Sequence, residues 1–248
     1  MKIGLIGFGS IGSFLAKNLG KEIVWVVDSD PAAAGKMKAA GLKCRYYASV
    51  PKKCGGAGLV VEAASQQAVP ILLECLPHCD VVAMSVGAFA DERLLGRMRR
   101  SAEKYGRKIY LPSGAIGGTD AISAVGSSAG SVLLETIKPP ASLGRKDRER
   151  VVIFEGSARE ACRLYPKNVN VSAALSLAGI GFERTRVRIV SDPAAAKNTH
   201  RITVESDAGR MVLEFENVPS VGNPKTSALA ALSALRRIKK IKDALQIG

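Results

Sequence analysis

A glycine-rich segment near the N-terminus has the spacing of a phosphate-binding turn. Gly7, Gly9 and Gly12 follow a short apolar run and precede a helical pattern, which is the GxGxxG arrangement of a strand that leads into a helix. The first glycine permits a tight turn, the second lets a pyrophosphate approach the backbone, and the third allows close helix packing. Phosphates bound there would lie on the helix N-terminus at Ser10 and Ile11.

An acidic residue follows at the distance that a dinucleotide site requires. Asp28 stands 21 residues after Gly7, at the end of the second apolar run, where a carboxylate can bind the ribose hydroxyls. A carboxylate also opposes a 2′-phosphate, and residues 29–31 include no arginine. The pattern therefore favours NAD as the coenzyme, with NADP still possible. The alternative for Asp28 is an ordinary strand-end cap.

Two further strand ends fall where a doubly wound sheet presents its ligand crevice. Ala64 follows the apolar run 59–61, and Ser85 lies near the end of the run 81–86. Ligands of such sheets bind outside the carboxyl ends of the strands. We therefore predict that both residues contact the coenzyme, although a tight turn explains each segment equally well.

The sequence offers few candidates for a proton-transfer group near neutral pH, because the chain has two histidines. His78 lies beside Pro77 and Cys79 at a predicted helix end, where capping is its expected role. His200 lies among polar residues at the edge of a predicted strand. Its unperturbed pKa near 6.5 suits general acid–base catalysis. A surface histidine is the alternative.

The cysteines predict neither a disulfide framework nor a metal site. The chain has five, an odd number, without a CxxC pair. Cys75 and Cys79 share one predicted helical face, but with His78 they make a poor ligand set. We predict no metal.

Composition and charge narrow the remaining classes of partner. The net charge of +14 favours an anionic partner, but an aromatic content of 5% leaves few platforms for stacking bases and argues against nucleic-acid binding. No apolar run is long enough to span a membrane. The N-terminal residues are too glycine-interrupted for a signal-peptide core, so a cytoplasmic location is expected.

The elements that position these residues indicate an α/β protein with two domains. Residues 1–112 alternate buried strands with helices and predict a doubly wound Rossmann sheet. Residues 113–118 form a glycine-rich hinge. Residues 113–222 predict an α+β domain whose strands alternate polar and apolar residues, as in an open antiparallel sheet with one wet face. The predicted strands are 3–6, 23–27, 59–61, 81–86, 109–111, 132–137, 151–154, 184–190, 201–205 and 211–215.

The last 26 residues, 223–248, predict a helix that returns to the first domain. Asn223 is a good N-cap, Pro224 suits the first helical position, and the run 227–245 has apolar residues at helical spacing. Other predicted helices cover 10–20, 31–41, 66–76, 91–105, 157–165 and 169–179.

Several long motifs together resemble the L-aspartate dehydrogenase family over nearly the whole chain. They are GLIGFGSIG, VEAASQQAV, SVGAFAD, SGAIGGTDAI, VIFEGSA, PKNVNVSAALSLAG, NTHRI and NPKTS. The resemblance implies a Rossmann domain completed by the C-terminal helix and a catalytic domain whose open sheet also forms a homodimer. It implies oxidation of L-aspartate with NAD or NADP to iminoaspartate, which hydrolyses to oxaloacetate and ammonia and can feed NAD biosynthesis.

The same resemblance assigns individual roles. It implies that His200 is catalytic and that Ala115 and Asn170 contact the nicotinamide coenzyme. A small dicarboxylic amino acid needs cations or backbone donors, for which we predict Lys167 and Lys225, with Asn198 beside His200. Either lysine is equally explained as a structural ion-pair partner. The rival functions are another amino- or hydroxy-acid dehydrogenase and a non-catalytic NADH sensor.

Overall fold

The chain forms two compact units in a computed structural model that describes residues 1–165, 169–220 and 223–246. Unit 1 consists of Met1–Pro112 and Ala231–Gln246, and the described remainder, Ser113–Ala230, forms unit 2. The chain therefore leaves unit 2 after Ala230, later than the boundary at residue 222 that the sequence predicts.

Six parallel strands of the described residues form the sheet of unit 1 in the order β3-β2-β1-β4-β5-β6. This is the strand order of a doubly wound dinucleotide-binding sheet, so the predicted fold class is confirmed for this unit. The elements are β1 (Ile3–Ile6), α1 (Ser10–Leu19), β2 (Ile23–Val27), α2 (Ala32–Ala39), β3 (Arg45–Tyr47), β4 (Leu59–Glu62), α3 (Leu72–Cys75), β5 (Asp80–Ala83), α4 (Glu92–Tyr105) and β6 (Ile109–Tyr110).

Three elements of unit 1 differ from the sequence prediction. The strand predicted at 81–86 is β5, Asp80–Ala83, and Val86–Ala90 form a 3₁₀ helix. The edge strand β3 was not predicted, because three residues with exposed and half-exposed side chains lack the pattern of a buried strand. The predicted helix at 66–76 is a 3₁₀ helix, Gln66–Ile71, followed by the short α3. Pro70 lies inside the 3₁₀ segment and has no backbone N–H for a regular α-helical hydrogen bond.

Unit 2 contains a five-stranded sheet in the order β11-β10-β7-β9-β8 among the described residues. The predicted antiparallel sheet is mixed, since β7 and β9 pair in parallel while the other neighbours are antiparallel. The elements are α5 (Thr119–Val125), β7 (Ala129–Lys138), β8 (Val151–Ser157), α6 (Ala158–Leu164), α7 (Asn170–Ala178), α8 (Gly181–Arg184), β9 (Thr185–Ser191), β10 (Asn198–Ser206), β11 (Gly209–Asn217), β12 (Pro219–Ser220) and β13 (Asn223–Ser227).

The two faces of this sheet have different character. Along β10, His200, Ile202 and Val204 are buried, whereas Arg201 and Glu205, which point to the opposite face, are exposed. Because side chains alternate between the faces of a strand, one face is covered by protein and the other is open. The predicted alternation therefore corresponds to one buried and one charged face.

The C-terminal helix α9 (Ala228–Lys240) begins later than predicted. The expected N-cap at Asn223 and first helical position at Pro224 are wrong, because this segment is the strand β13 paired with β12. Strand pairing overrides the local capping pattern, and the hydroxyl of Ser227 accepts from the backbone N–H of Leu229 instead, at 3.1 Å. The helix buries Ala234 and Ile238 in the core of unit 1.

No helix in the described parts of the chain is both long and apolar enough to cross a membrane.

Candidate functional site

Two glycines of the N-terminal turn are required by the packing of unit 1. Gly7 has a φ of 95°, and a Cβ there would lie 2.6 Å from the carbonyl oxygen of Ala63. A Cβ at Gly12 would lie 2.0 Å from the carbonyl oxygen of Gly7. Both contacts are with backbone atoms, so neither position accepts a side chain without a change in the backbone.

Gly9 is different, because the protein itself leaves room for a side chain there. Its φ is −74°, which any residue can adopt, and a Cβ would meet nothing within 4 Å. Gly9 is also the N-cap of α1, whose first turn carries no acidic residue. The open space at a helix N-terminus, where anions are stabilised, fits a pyrophosphate. Ser10 and Ile11 begin this helix, as predicted for the phosphate-binding turn.

Asp28 is bound to the glycine turn through its carboxylate. Its Oδ2 accepts from the backbone N–H of Phe8 at 2.5 Å, and its Oδ1 accepts from that of Asp30 at 2.7 Å. A carboxylate has about four acceptor positions. Two therefore stay available for ribose hydroxyls, and the arrangement fits the adenosine side of a dinucleotide.

A buried carboxylate that sequence reasoning missed holds the other two predicted coenzyme contacts together. Glu62, at the end of β4, accepts from the backbone N–H of Ala64 at 2.8 Å and from the hydroxyl of Ser85 at 2.8 Å. Burial raises the pKa of Glu62, and these hydrogen bonds counter the shift. The available signal was an acidic residue directly after a buried strand, and only the pairing of β4 with β5 reveals its partners.

His200 lies on the buried face of the unit 2 sheet, with 4% of its surface exposed. Its Nδ1 is 3.0 Å from the hydroxyl of Thr136, the residue directly opposite on β7. Burial, and secondarily the charge of Lys138, lowers the pKa of His200 to about 4. His200 is the third residue of β10, near the strand end as predicted, but the surface position given as the alternative is wrong, and the pKa departs from 6.5. The imidazole is neutral at pH 7 and is available as a base.

Two predicted site residues of unit 2, Ala115 and Asn198, are connected through Asn217 close to this histidine. Asn198 is two residues before His200 on β10 and faces Asn217 on β11. The amide of Asn217 donates to the carbonyl oxygen of Ala115 at 3.1 Å. The sheet thus links Ala115 and Asn198, which are 83 residues apart in the chain.

The structure describes the other predicted binding residues only in part. Asn170 is exposed at the first position of α7. Lys167 lies outside the described residues, and Lys225 is in β13 with its side chain outside the description.

Three buried free thiols in unit 1 form a cluster that the sequence predicted only in part. Cys54 joins Cys75 and Cys79, and the thiol of Cys79 donates to the carbonyl oxygen of Cys75 at 3.7 Å. Within the described residues, no group of three or more His, Cys, Asp or Glu side chains is arranged to hold a metal ion.

A doubly wound unit with this glycine turn, joined to a mixed-sheet unit with a buried histidine, defines the class of two-domain NAD(P)-dependent oxidoreductases. The family model described as homoserine dehydrogenase, NAD binding domain, matches residues 3–112, and that described as aspartate dehydrogenase, C-terminal, matches residues 120–241. The chain belongs to the L-aspartate dehydrogenase family, which confirms the resemblance found in the sequence.

Relatives that match over their full length support this family assignment. The chain is 40% identical to L-aspartate dehydrogenase of Methanosarcina acetivorans and 42% identical to that of Methanococcoides burtonii, in each case over 100% of this chain and 99% of the relative. Among solved structures, aspartate dehydrogenase from Thermotoga maritima is 32% identical with a TM-score of 0.84, covering 100% of this chain and 99% of that chain.

Proposed function

We propose that the protein oxidises L-aspartate with NAD(P) to iminoaspartate, which hydrolyses to oxaloacetate and ammonia. The observation that carries this proposal is the buried His200–Thr136 pair, which lies within the region that matches the aspartate dehydrogenase model. Iminoaspartate that is released before hydrolysis would be available for pyridine nucleotide synthesis.

His200 is the proposed catalytic base. The bound nicotinamide supplies the acceptor for the hydride that leaves the substrate Cα. The substrate nitrogen must lose a proton before this transfer, and the neutral imidazole can accept it. If Nδ1–H donates to the Thr136 hydroxyl, the lone pair of Nε2 is free for the proton. After that proton is released to solvent, the same nitrogen can accept a proton from the water that attacks the imine.

The coenzyme is proposed to bind through the backbone of the glycine turn and the carboxylate of Asp28. The space at Gly9 and the two remaining acceptor positions of Asp28 support this binding. The carboxylate also supports NAD as the preferred coenzyme, because it would repel a 2′-phosphate. The other proposed coenzyme contacts are Ser10, Ile11, Ala64, Ser85, Ala115 and Asn170. The proposed substrate contacts are Lys167 and Lys225.

A homodimer through the open face of the unit 2 sheet is part of the proposal. Val152 in β8 and Val212 in β11, the two edge strands of this sheet, are 51% and 42% exposed. Between these edge strands Arg188 forms ion pairs with Glu135 at 3.1 Å and with Glu155 at 2.9 Å. Apolar side chains beside an ordered ion-pair network suit a self-complementary interface. Light scattering on the purified protein would give the oligomeric mass.

A cytoplasmic location is also proposed. All five cysteines are free, which is the usual state of thiols in a reducing compartment.

NADH formation from L-aspartate tests the function, with two matched histidine variants. His200→Asn should lower kcat by roughly 10²- to 10⁴-fold, the usual contribution of a general acid–base group. Its affinity for NADH, measured by fluorescence titration, should not change. His78→Asn is the control, because His78 is exposed and lies in unit 1. Near-wild-type turnover by His200→Asn would contradict the catalytic role, and activity with other amino acids but not aspartate would contradict the substrate.

A further inference from the structure

Segment 113–118, which is rich in glycine, packs on the residue that faces His200 across the unit 2 sheet. A Cβ at Gly117 would lie 3.4 Å from Cε1 of the Phe215 ring. Phe215 is directly opposite His200 in the register of β10 and β11, and directly opposed side chains lie on the same face of a sheet. Segment 113–118 therefore lies on the covered face of the sheet, beside the candidate base.

Close packing continues along this segment. Gly118 has a φ of 70°, and a Cβ there would lie 2.9 Å from Cδ1 of Leu213. Leu213 is two residues before Phe215 on β11 and so points to the same face. The side chain of Ile116 is buried as well. The segment thus follows β11 along the face that holds His200.

The side-chain amide of Asn217 binds the backbone of this segment. Asn217 is 5% exposed. Its amide nitrogen donates to the carbonyl oxygen of Ala115 at 3.1 Å and to that of Phe215 at 3.4 Å. Its amide oxygen accepts from the hydroxyl of Ser227 at 2.5 Å. An asparagine amide carries two N–H donors and one acceptor oxygen, so both ends of this buried amide are paired.

Ser227 continues the network to the start of the last helix. Its hydroxyl oxygen accepts from the backbone N–H of Leu229 at 3.1 Å, in the first turn of α9. Asn217 therefore joins three parts of the chain, which are segment 113–118, the end of β11 and the junction of β13 with α9. Ala115 and Asn217 are 102 residues apart in sequence, so the connection exists only in the folded unit.

The proposed reaction gives this connection a role. His200 acts on the substrate nitrogen, and the hydride leaves the carbon to which that nitrogen is attached. The coenzyme receives the hydride on its nicotinamide ring, so the ring has to reach the face of the sheet that holds His200. Segment 113–118 is the backbone beside this face. Groups that contact reacting atoms must be held to within about half an ångström, and a buried side-chain amide can hold a backbone in this way.

We propose that Asn217 is a positioning residue that holds segment 113–118 against the nicotinamide end of the coenzyme. The proposal rests on the proposed function for the coenzyme and for the place of the reaction. Asn217 acts through Ala115 and contacts neither coenzyme nor substrate itself. Its loss should therefore weaken binding of the nicotinamide end and leave the adenosine end, which is proposed to bind at the glycine turn of unit 1, as in the wild type.

Comparison of NADH with ADP-ribose tests this role, because ADP-ribose is the coenzyme without its nicotinamide. Asn217→Leu nearly keeps the volume of the side chain and removes both hydrogen-bonding groups. The variant should weaken NADH binding at least about fivefold and change ADP-ribose affinity by less than about twofold, both measured by isothermal titration calorimetry. Equal losses for the two ligands, or no loss for NADH, would overturn the proposal. Asn18→Leu, which removes an exposed asparagine of unit 1, should bind both ligands as the wild type does.

Ser227→Ala covers the case in which Asn217→Leu does not fold. This variant keeps Asn217 but removes the hydroxyl that orients its amide. It should weaken NADH binding by about threefold and leave ADP-ribose affinity within about twofold of wild type. Ser227→Thr keeps a hydroxyl and should recover the NADH affinity. Unchanged NADH affinity in Ser227→Ala would overturn the proposal.

Turnover separates a failure of this proposal from a failure of the proposed function. Asn217→Leu should lower kcat for L-aspartate by roughly tenfold or more, because a displaced contact changes the geometry of hydride transfer. If the wild type does not oxidise aspartate but the two ligands differ as expected, the function fails and the positioning role stands. If Asn217→Leu binds NADH and oxidises aspartate as the wild type does, the positioning role fails and the function stands.

Discussion

The two units build their candidate sites from different parts of the chain. In unit 1 the backbone makes the site: Gly9 leaves an open space at the start of α1, and the glycines on either side close the turn. In unit 2 side chains make the site: His200, Thr136 and Lys138 come from two strands that are distant in sequence. A site made by the backbone depends on local conformation, whereas a site made by side chains depends on sheet register and burial.

The largest effect is expected from glycine substitutions in unit 1. They distinguish a glycine that folding requires from one that coenzyme binding requires. Gly12→Ala should lower the free energy of unfolding by about 3 kcal/mol or more, because its Cβ would overlap a backbone carbonyl. Gly9→Ala should leave the free energy of unfolding within about 0.5 kcal/mol of wild type but weaken NADH binding at least about tenfold. Chemical denaturation and fluorescence titration measure the two quantities.

Gly35→Ala is the matched control for these variants. Gly35 lies within α2, and a Cβ there would also meet nothing within 4 Å. This variant should keep NADH affinity. If Gly9→Ala binds NADH as tightly as Gly35→Ala, the open space at Gly9 is not a pyrophosphate site and the comparison fails.

The next effect is the pH dependence of stability that His200 produces. Its pKa is about 4 in the folded protein and about 6.5 in the unfolded chain. Above pH 6.5 the group is neutral in both states and its contribution is fully present. As the pH falls from 6.5 towards 4, the unfolded chain binds a proton that the folded protein does not, and stability should decrease by about 3 kcal/mol.

Denaturation curves between pH 7 and pH 4 measure this contribution. His200→Gln should have a flatter stability profile than the wild type, whereas His78→Gln should follow the wild type. Parallel profiles for the wild type and His200→Gln would show that the imidazole titrates alike in both states.

A smaller effect is expected from the hydrogen bond between Thr136 and His200. Thr136→Val removes the hydroxyl with little change in volume and should lower kcat by about tenfold, the value of one buried hydrogen bond to an oriented base. Thr136→Ser keeps a hydroxyl and should recover most of the activity. Steady-state kinetics with aspartate separate kcat from KM. A selective rise in KM, with kcat unchanged, would show that Thr136 does not orient the base.

The smallest effect is expected at Asp28, whose carboxylate adds a charged side chain to the backbone-built site. Asp28→Ser should shift the ratio of kcat/KM for NADP to that for NAD by about fivefold, because a partly exposed charge is screened by solvent. Asp28→Asn removes the charge but keeps an acceptor for the N–H of Phe8. If the ratio does not change in either variant, the carboxylate does not select the coenzyme.

Local spacing was enough to predict the glycine turn of unit 1 and the strand-end carboxylate beside it. A strand, three glycines and a carboxylate at the second strand end specify the doubly wound sheet and its turn, because each depends on residues close in sequence. Strand β13 is a segment whose structure local spacing does not predict. Asn223 and Pro224 have the types of a helix start, but pairing with β12 decides their conformation.

The sequence by itself therefore determined the glycine turn, the NAD(P)-binding domain and the family, and it singled out His200 as the candidate base. Only the tertiary structure decided what surrounds that histidine. Thr136 lies 64 residues away from it, and Lys138 comes next to it only through the register of β7 and β10. The pKa of His200 follows from burial on the covered face of the sheet. Register and burial arise from contacts between distant segments, which motif spacing does not encode.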